Sequence, residues 1–250
     1  MERALDVLTL FATGGSPTLG VTEIAERLDL SKAVVHRALA AFRAKGFVEM
    51  DETTHRYLLG PEILFLGLSY LDRLDVRSIA REAMTGLVAA TRETATLSVR
   101  VGWSRVYIDQ VTPDRDVKMV VQLGRPFPLH TGASSKALLA FLPRAESERY
   151  LREHDLVRLT PLTITSQAKL RRELRGVRER GYAMSFGERD AGAGAVAAPV
   201  FGHDGQLRAV ISVSGPVDRF RPVVDQAADL LLSATRGVSE RLGHRRADNS

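Results

Sequence analysis

The chain contains no cysteine, and this absence excludes disulfide bonds, thiol nucleophiles and cysteine-ligated zinc sites. Its apolar runs are short, for example the six residues at 63–68, whereas a helix needs ~20 to span a bilayer. The first residues include Glu2, Arg3 and Asp6 instead of an apolar secretion segment. The six histidines are dispersed without the spacing of a local metal site, so no metal or cofactor is expected. Together these absences predict a cytoplasmic protein.

The composition of the 250 residues, 44% apolar and 26% charged, is that of a globular protein with room for two domains. The net charge of +5 is typical of proteins that bind nucleic acid. However, residues 1–60 hold seven Lys/Arg and eight Asp/Glu, so the excess lies elsewhere. Local clustering is more informative, because residues 31–45 carry four basic side chains and no acidic one.

The first sixty residues have the pattern of a winged helix-turn-helix. Apolar residues at helical spacing predict a helix at 1–13, a second helix capped by Thr22 and a third capped by Ser31. Residues 47–50 and 56–59 then predict two short strands. In the third helix the core-facing positions i, i+3, i+4 and i+7 are Val35, Ala38, Leu39 and Phe42.

Such a unit places its third helix in the major groove of DNA. The start of that helix, at Ser31, offers free backbone N–H groups to a phosphate, and Lys32 neutralises another. His36 and Arg37 are long enough to reach base edges, Arg37 bidentately to guanine. The alternative is a winged helix that docks a protein. The residues predicted to bind DNA are Ser31, Lys32, Ala33, Val34, His36, Arg37, His55 and Arg56.

Three segments, in this order along the chain, resemble the IclR-type bacterial transcription regulators. They are TEIAERLDLSKAVVHRAL at 22–39 with KGFVE at 45–49, GRPFPLHTGASSKALLAFLP at 124–143, and RGY at 180–182 with 188–199. The resemblance implies a DNA-binding regulator with a GAF-like effector domain, acting as a homodimer or homotetramer on double-stranded operator DNA. The departures Ala33, Val34 and Ala38 stand where the family often has Ser, Thr and Leu.

The remainder predicts a linker helix at 61–75, an effector domain at 76–243 and a short tail at 244–250. The linker helix is more apolar than one buried face requires. It either packs on a partner chain or is buried in its own domain. Helices alternate with six predicted strands, at 96–101, 105–111, 117–123, 182–188, 195–201 and 207–214. The fold class expected is therefore α+β, with a mostly antiparallel sheet.

The loop 124–131 leads into a helix at Ser134, and free N–H groups and hydroxyls at such a start form a receptor for a small carboxylate. The family resemblance places ligand contacts at Ala133, Ser134, Ser185, Ser212 and Ser214. For any single serine, a purely local hydrogen bond is the alternative. Keto-acid sensors of the family carry Asp and Cys at the positions of Ser185 and Ala195, so a larger or more aromatic acid is expected. The candidates for an aromatic side chain beside it are Tyr107, Phe127, Phe141 or Phe186.

An enzyme is the remaining alternative, suggested by the run from Gly132 to Lys136. This run does not fit G-x-S-x-G or S-x-x-K. Ser134 and Lys136 lie ~200° apart around a helix and cannot share a proton. The prediction is therefore a non-enzymatic repressor or activator that senses a small organic acid and reads the half-sites of a near-palindromic operator.

Overall fold

The computed structural model describes residues 2–13, 16–72 and 76–244, and the chain divides into two compact units, 1–74 and 75–250. Within the described ranges, none of the helices combines the length and the apolar character needed to cross a membrane.

The N-terminal unit has the element order that the sequence predicts. Its elements are α1 (Glu2–Thr13), α2 (Val21–Leu28), α3 (Lys32–Ala44), β1 (Val48–Met50), β2 (Tyr57–Leu59) and α4 (Pro61–Asp72). β1 and β2 form an antiparallel hairpin, with Val48 opposite Leu59. An isolated bridge also joins Leu19 to Tyr57, which ties the wing to the start of α2.

Of the two predicted N-caps, that of α3 is confirmed and that of α2 is wrong. Ser31 is the N-cap of α3, and its hydroxyl accepts a hydrogen bond from the Val34 N–H at 3.4 Å. The prediction that Thr22 caps α2 is wrong, because Gly20 occupies that position without a side-chain cap. The bridge at Leu19 keeps the backbone extended up to Gly20, so the helix begins directly after it.

The core of this unit fixes the orientation of α3. Val35 and Leu39 are fully buried, and Ala38 is buried beside them, as the helical spacing predicts. They pack against Val7, Leu19 and Ile24. Each such buried aliphatic side chain contributes roughly 1.5–3 kcal/mol. The opposite side of α3 is thereby directed outward.

The turn into α4 brings two backbone segments together at Gly60, where an added Cβ would overlap the carbonyl oxygen of Gly46. We expect Gly60→Ala to destabilise the N-terminal unit by ~3 kcal/mol, because backbone cannot move aside as a flexible side chain can. Gly67→Ala in α4 is the matched control. A Cβ there meets nothing within 4 Å, and helix propensity predicts a gain of about 0.5–1 kcal/mol. Urea unfolding measures both, and equal effects would contradict the steric argument.

α4 is not buried in its own unit. Leu64, Phe65 and Leu66 are 61%, 58% and 56% exposed in the single chain. Of the two interpretations of this apolar helix, burial within its own domain is therefore wrong for these three side chains.

The C-terminal unit is an α+β domain around one six-stranded antiparallel sheet of order β5-β4-β3-β8-β7-β6. Its strands are β3 (Thr94–Val101), β4 (Ser104–Val111), β5 (Pro126–Pro128), β6 (Ala183–Phe186), β7 (Ala193–Phe201) and β8 (Leu207–Pro216). Its helices are α5 (Val76–Thr91), α6 (Ala133–Phe141), α7 (Arg144–Glu153), α8 (Gln167–Arg180), α9 (Val217–Phe220) and α10 (Val224–Arg241), with a 3₁₀ turn at Arg221–Val223. α5 and α10 pack on the sheet, as does α6, which in turn contacts α8.

The predicted third strand, at 117–123, is wrong. Residues 112–125 form no strand, and the strand that completes the sheet is β5, which pairs with β4 through Phe127 and Arg105. The backbone of Val121 instead bonds the side-chain amide of Gln110 in both directions, each at 3.0 Å. The hydroxyl of Thr94 similarly donates to the Met119 carbonyl at 2.6 Å. The backbone of this segment therefore forms hydrogen bonds with side chains and not with a neighbouring strand.

The predicted tail, 244–250, lies outside the described residues except for His244. The His244 ring nitrogen Nδ1 lies 3.2 Å from the Gly202 carbonyl oxygen, and the ring contacts Phe201. This residue is thus attached to the β7–β8 hairpin.

Candidate DNA interface and ligand pocket

The outward side of α3 is open to solvent along its first two turns. Lys32, Ala33, His36 and Arg37 are exposed, and Val34 is half-buried. Ser31 is exposed at the cap, immediately before them. The first-turn N–H groups of a helix carry a partial positive charge, and here a lysine and an arginine add to it. This surface has the shape and the charge for a nucleic-acid backbone.

The wing turn is organised by Asp51, whose Oδ1 accepts hydrogen bonds from the Thr53 and Thr54 N–H groups at 2.8 and 2.9 Å. These bonds, that from Thr54 foremost, hold the pKa of Asp51 below its ordinary value. His55 ends the turn with a φ of 52° and an exposed ring. His36, His55 and Arg56 line one groove between α2, α3 and the wing.

Arg56, which the sequence predicts to contact DNA, forms hydrogen bonds within its own unit. Its Nε donates to the Thr18 hydroxyl at 3.0 Å, and its Nη2 donates to the Thr18 carbonyl at 2.9 Å and to Glu23 Oε2 at 2.7 Å. The bond from Arg56 lowers the pKa of Glu23. Arg56 thus ties the wing to α2, and its donors are largely used within the unit.

We expect Arg56→Gln to reduce operator affinity by less than about threefold, because a guanidinium bound within the protein offers little to phosphates. Lys32→Gln is the comparison, since Lys32 is exposed at the start of α3. Its loss should weaken binding on all sequences and reduce the salt slope by about one. Mobility-shift titrations at several salt concentrations measure both. A larger loss of operator affinity for Arg56→Gln than for Lys32→Gln would show that Arg56 contacts DNA.

A second site, which we call the sheet pocket, lies where the start of α6 meets the sheet. Its lining includes all five predicted ligand contacts, Ala133, Ser134, Ser185, Ser212 and Ser214. Sheet register explains their convergence. Ser212 lies opposite Ala197, and Ser214 lies opposite Ala195, which in turn pairs with Ser185. Side chains two apart on a strand share a face. The structure therefore brings the predicted residues together.

One of the four aromatic side chains that the sequence offers as alternatives lines the sheet pocket. Tyr107 lines the sheet pocket. Phe127 packs edge-on against the Tyr107 ring, Phe141 packs against Phe201, and Phe186 lies under the Arg221 guanidinium. The cavity is also small, at about 40 Å³.

The most informative residue of the sheet pocket is Arg105, which the sequence analysis did not select. Its side chain is 1% exposed, and it donates to the Ser135 hydroxyl at 2.9 Å and the Ser98 hydroxyl at 3.3 Å. Among the residues that the structure describes, no carboxylate forms an ion pair with it. Burial lowers the pKa of Arg105 to about 10, so the side chain remains cationic at neutral pH. Buried charges are normally paired, and this one is not.

Tyr107 and Arg189 complete the cationic side of the sheet pocket. The Arg105 guanidinium lies 3.9 Å from the centre of the Tyr107 ring, and Arg189 Nη1 donates to the Tyr107 hydroxyl oxygen at 2.8 Å. Burial alone would raise the pKa of Tyr107, but the two guanidinium charges outweigh it and hold the pKa below its ordinary value. The local potential is therefore positive.

Hydrogen-bond donors face the same cavity from the start of α6. Gly132 adopts a φ of 78° before the helix, and Ala133 and Ser134 belong to its first turn, where N–H groups lack acceptors within the helix. The Thr131 hydroxyl is buried, lines the sheet pocket and has no partner in the described part of the chain. A buried group without a partner costs stability unless a ligand or water satisfies it.

Lys136 is engaged away from Ser134. Its ammonium group contacts Glu188 Oε1 at 2.5 Å, the Met184 carbonyl at 2.8 Å and Glu173 Oε1 at 3.2 Å. An ammonium group has three hydrogens, and these three acceptors use them all. The second oxygen of Glu188 accepts from the Gly132 N–H at 3.3 Å. Lys136 therefore cannot serve as a base for Ser134, and it fixes the loop beside the sheet pocket instead.

Family models match both units. Residues 1–52 match the IclR helix-turn-helix domain, and residues 68–240 match the bacterial transcriptional regulator IclR C-terminal domain. These two matches lie in the order in which the three sequence segments resemble the family.

Individual relatives agree over nearly the whole chain. The HTH-type transcriptional regulator BhcR of Paracoccus denitrificans is 35% identical over 96% of this chain and 85% of its own length. The glycerol operon regulatory protein of Streptomyces griseus is 36% identical over 97% of this chain and 96% of its own length. The crystal structure of an IclR transcriptional regulator from Alicyclobacillus acidocaldarius has a TM-score of 0.85 at 33% identity and covers 96% of both chains. The chain therefore belongs to the IclR family of DNA-binding bacterial transcriptional regulators, a family of non-enzymes.

Proposed function

We propose that this regulator responds to a small organic acid, which binds in the sheet pocket and changes operator occupancy by the winged helix. The observation that carries the proposal is the buried Arg105 side chain, to which the described residues offer no carboxylate. A charge taken out of water at this cost is explained if an anion enters the cavity and pairs with it.

The remaining lining supports an acid over a neutral ligand. The first turn of α6 supplies N–H groups and the positive end of a helix dipole, and Thr131 supplies a free hydroxyl. A carboxylate accepts hydrogen bonds from a guanidinium group, from backbone N–H groups and from a hydroxyl. With Tyr107 as the aromatic wall and a cavity of about 40 Å³, we propose a compact acid in place of the larger aromatic one expected from the sequence.

For the DNA end of the mechanism, we propose that Ser31, Lys32 and the α3 N-terminus contact phosphates while His36 and Arg37 read base edges. His55 contacts the adjacent backbone. Two such units in a dimer or tetramer read the half-sites of a near-palindromic operator. The exposed apolar residues of α4, at 64–66, support a role in holding the protomers together. The ligand acts through its different affinity for the DNA-bound and free arrangements.

A mobility-shift titration on the DNA upstream of the protein's own gene tests this function. We expect binding that survives competitor DNA and changes at least about tenfold when the correct acid is present, a coupling of about 1.4 kcal/mol. The variant Thr131→Val removes the unpartnered hydroxyl and should weaken the acid's effect while leaving acid-free DNA binding unchanged. Operator binding that no organic acid alters would refute ligand control. A failure to bind any DNA would instead favour a winged helix that docks a protein.

A further inference from the structure

We propose that the effector is a compact dianion, a short dicarboxylate, and that Arg105 and Arg189 together select it over a monocarboxylate. This inference rests on the proposed function, since it names the class of acid that the sheet pocket takes. It starts from the charges around the cavity, which include two guanidinium groups and two carboxylates, those of Glu188 and Asp190.

Glu188 does not compensate either guanidinium. Its carboxylate contacts Lys136 at 2.5 Å. Lys136 also contacts Glu173, which in turn contacts Arg180 at 2.9 Å. Two acids and two bases thus form a network that is neutral by itself. The pKa of Glu173 lies below its ordinary value: burial opposes the ionised form, but the Lys136 charge and hydrogen bond outweigh it. The network therefore has no excess negative charge that could balance Arg105 or Arg189 in the ligand-free sheet pocket.

Asp190 does not compensate them either. It is exposed, and its Oδ1 accepts the Gly192 N–H at 3.0 Å. In the described ranges no ion pair joins Asp190 to Arg105 or Arg189, and an exposed carboxylate is screened by water and salt. The cavity wall therefore holds two cations without an internal counter-charge.

The two cations are close to each other. Both guanidinium groups lie over the Phe127 ring, at 4.7 Å for Arg105 and 4.9 Å for Arg189. Both also contact Tyr107. Like charges held together in a place of low dielectric repel. One bound negative charge leaves a net positive site, whereas two negative charges neutralise it.

The cavity lining also offers two receptors for carboxylates. The guanidinium groups form one, with planar donor sets that match a carboxylate. The first turn of α6 and the Thr131 hydroxyl form the other. Since a water requires roughly 10–15 Å³ on the same volume measure, a cavity of about 40 Å³ admits a short acid. A diacid of two to about four carbons supplies two anionic groups to these receptors within that volume.

Calorimetric titration of the full-length protein with acids matched in chain length tests the inference. The pairs are oxalate against glyoxylate, malonate against propionate, and succinate against butyrate. We expect at least one diacid to bind about tenfold or more tightly than its matched monoacid, which corresponds to 1.4 kcal/mol. A monoacid that binds as tightly as every diacid overturns the inference and leaves the proposed function standing. If none of the acids binds, both the inference and the proposed sensing of a compact acid fail.

The variant Arg189→Gln isolates the second charge. Arg189 is half-buried and lies in the loop after β6, so its replacement should preserve the fold, which thermal unfolding verifies. We expect the preference for diacid over monoacid to fall below about threefold, with monoacid affinity largely retained. Arg189→Lys keeps the charge and should retain the preference. Arg208→Gln, an exposed arginine paired with Asp204, is the control and should change neither affinity. An unchanged preference in Arg189→Gln contradicts the proposal.

Discussion

Replacement of Arg105 by methionine is expected to make the unliganded protein more stable and unable to respond to acids. A pKa lowered to about 10 corresponds to a desolvation cost of about 3 kcal/mol for the guanidinium. Methionine fills similar volume without charge, and the Ser98 and Ser135 hydroxyls lose only modest hydrogen bonds. We expect a net gain of about 1–3 kcal/mol, as found when apolar side chains replace buried charges.

Lys136→Met is the matched control for this prediction. Lys136 is equally buried, at 1% exposure, but it is paired with Glu188 and Glu173. Its removal leaves the buried Glu188 carboxylate without a cationic partner and should cost about 3–5 kcal/mol. Denaturant unfolding of the full chain measures both variants, and calorimetry with the acids measures binding. If Arg105→Met destabilises as Lys136→Met does, Arg105 is a structural residue and the argument from its unpaired charge fails.

Arg37→Ala should weaken operator binding by about 1–3 kcal/mol and relax the preference at one base pair, the effect expected when a bidentate contact to guanine is lost. Arg37 is exposed on the second turn of α3, on the same side as Lys32 and His36. Competition titrations with a set of single-base operator variants measure the preference, and random DNA of equal length measures the non-specific part.

Arg43→Ala is the matched control for Arg37→Ala. Arg43 is also exposed on α3 but lies in its last turn, away from the N-terminal end that enters the groove. Its replacement should change affinity by less than about twofold. If Arg37→Ala weakens binding to random DNA and to the operator equally, Arg37 contacts a phosphate and not a base.

The N-terminal unit was predictable because its pattern is local. The i, i+3, i+4 spacing of Val35, Ala38 and Leu39 determines which side of α3 is buried, and Ser31 marks where the helix starts. The role of Arg56 could not be predicted in this way. Its partners, Thr18 and Glu23, are 38 and 33 residues away along the chain, and only the bridge of the wing to Leu19 brings them near.

The sheet of the C-terminal unit was predictable in all but one strand. Alternating apolar residues at 117–123 fit a strand, and Met119 and Val121 do line the sheet pocket. The alternation reports only which side chains face inward. It does not report whether the backbone bonds a strand or, as here, the side chains of Gln110 and Thr94.

Arg105 was overlooked because a charged residue on a strand is normally exposed. A signal was present, since Arg105 and Tyr107 are two apart and therefore share a face. The register of β4 against β3 shifts between Leu97 and Ser98: Leu97 pairs with Asp109 and Ser98 pairs with Tyr107, so Ile108 has no partner on β3. Tyr107 consequently lines the sheet pocket, whereas Asp109 contacts Arg81 of α5. A bulge of this kind is not visible in periodicity.

The attachment of residues 112–125 has a consequence for ligand binding. Met119 and Val121 form one wall of the cavity, and the bonds that hold them come from one glutamine amide and one threonine hydroxyl. Each of these three bonds contributes about 1 kcal/mol, and none of them belongs to the hydrogen-bond ladder of the sheet. Since none of the six strands pairs with this segment, the wall of the sheet pocket can adjust to an effector without any loss of sheet structure.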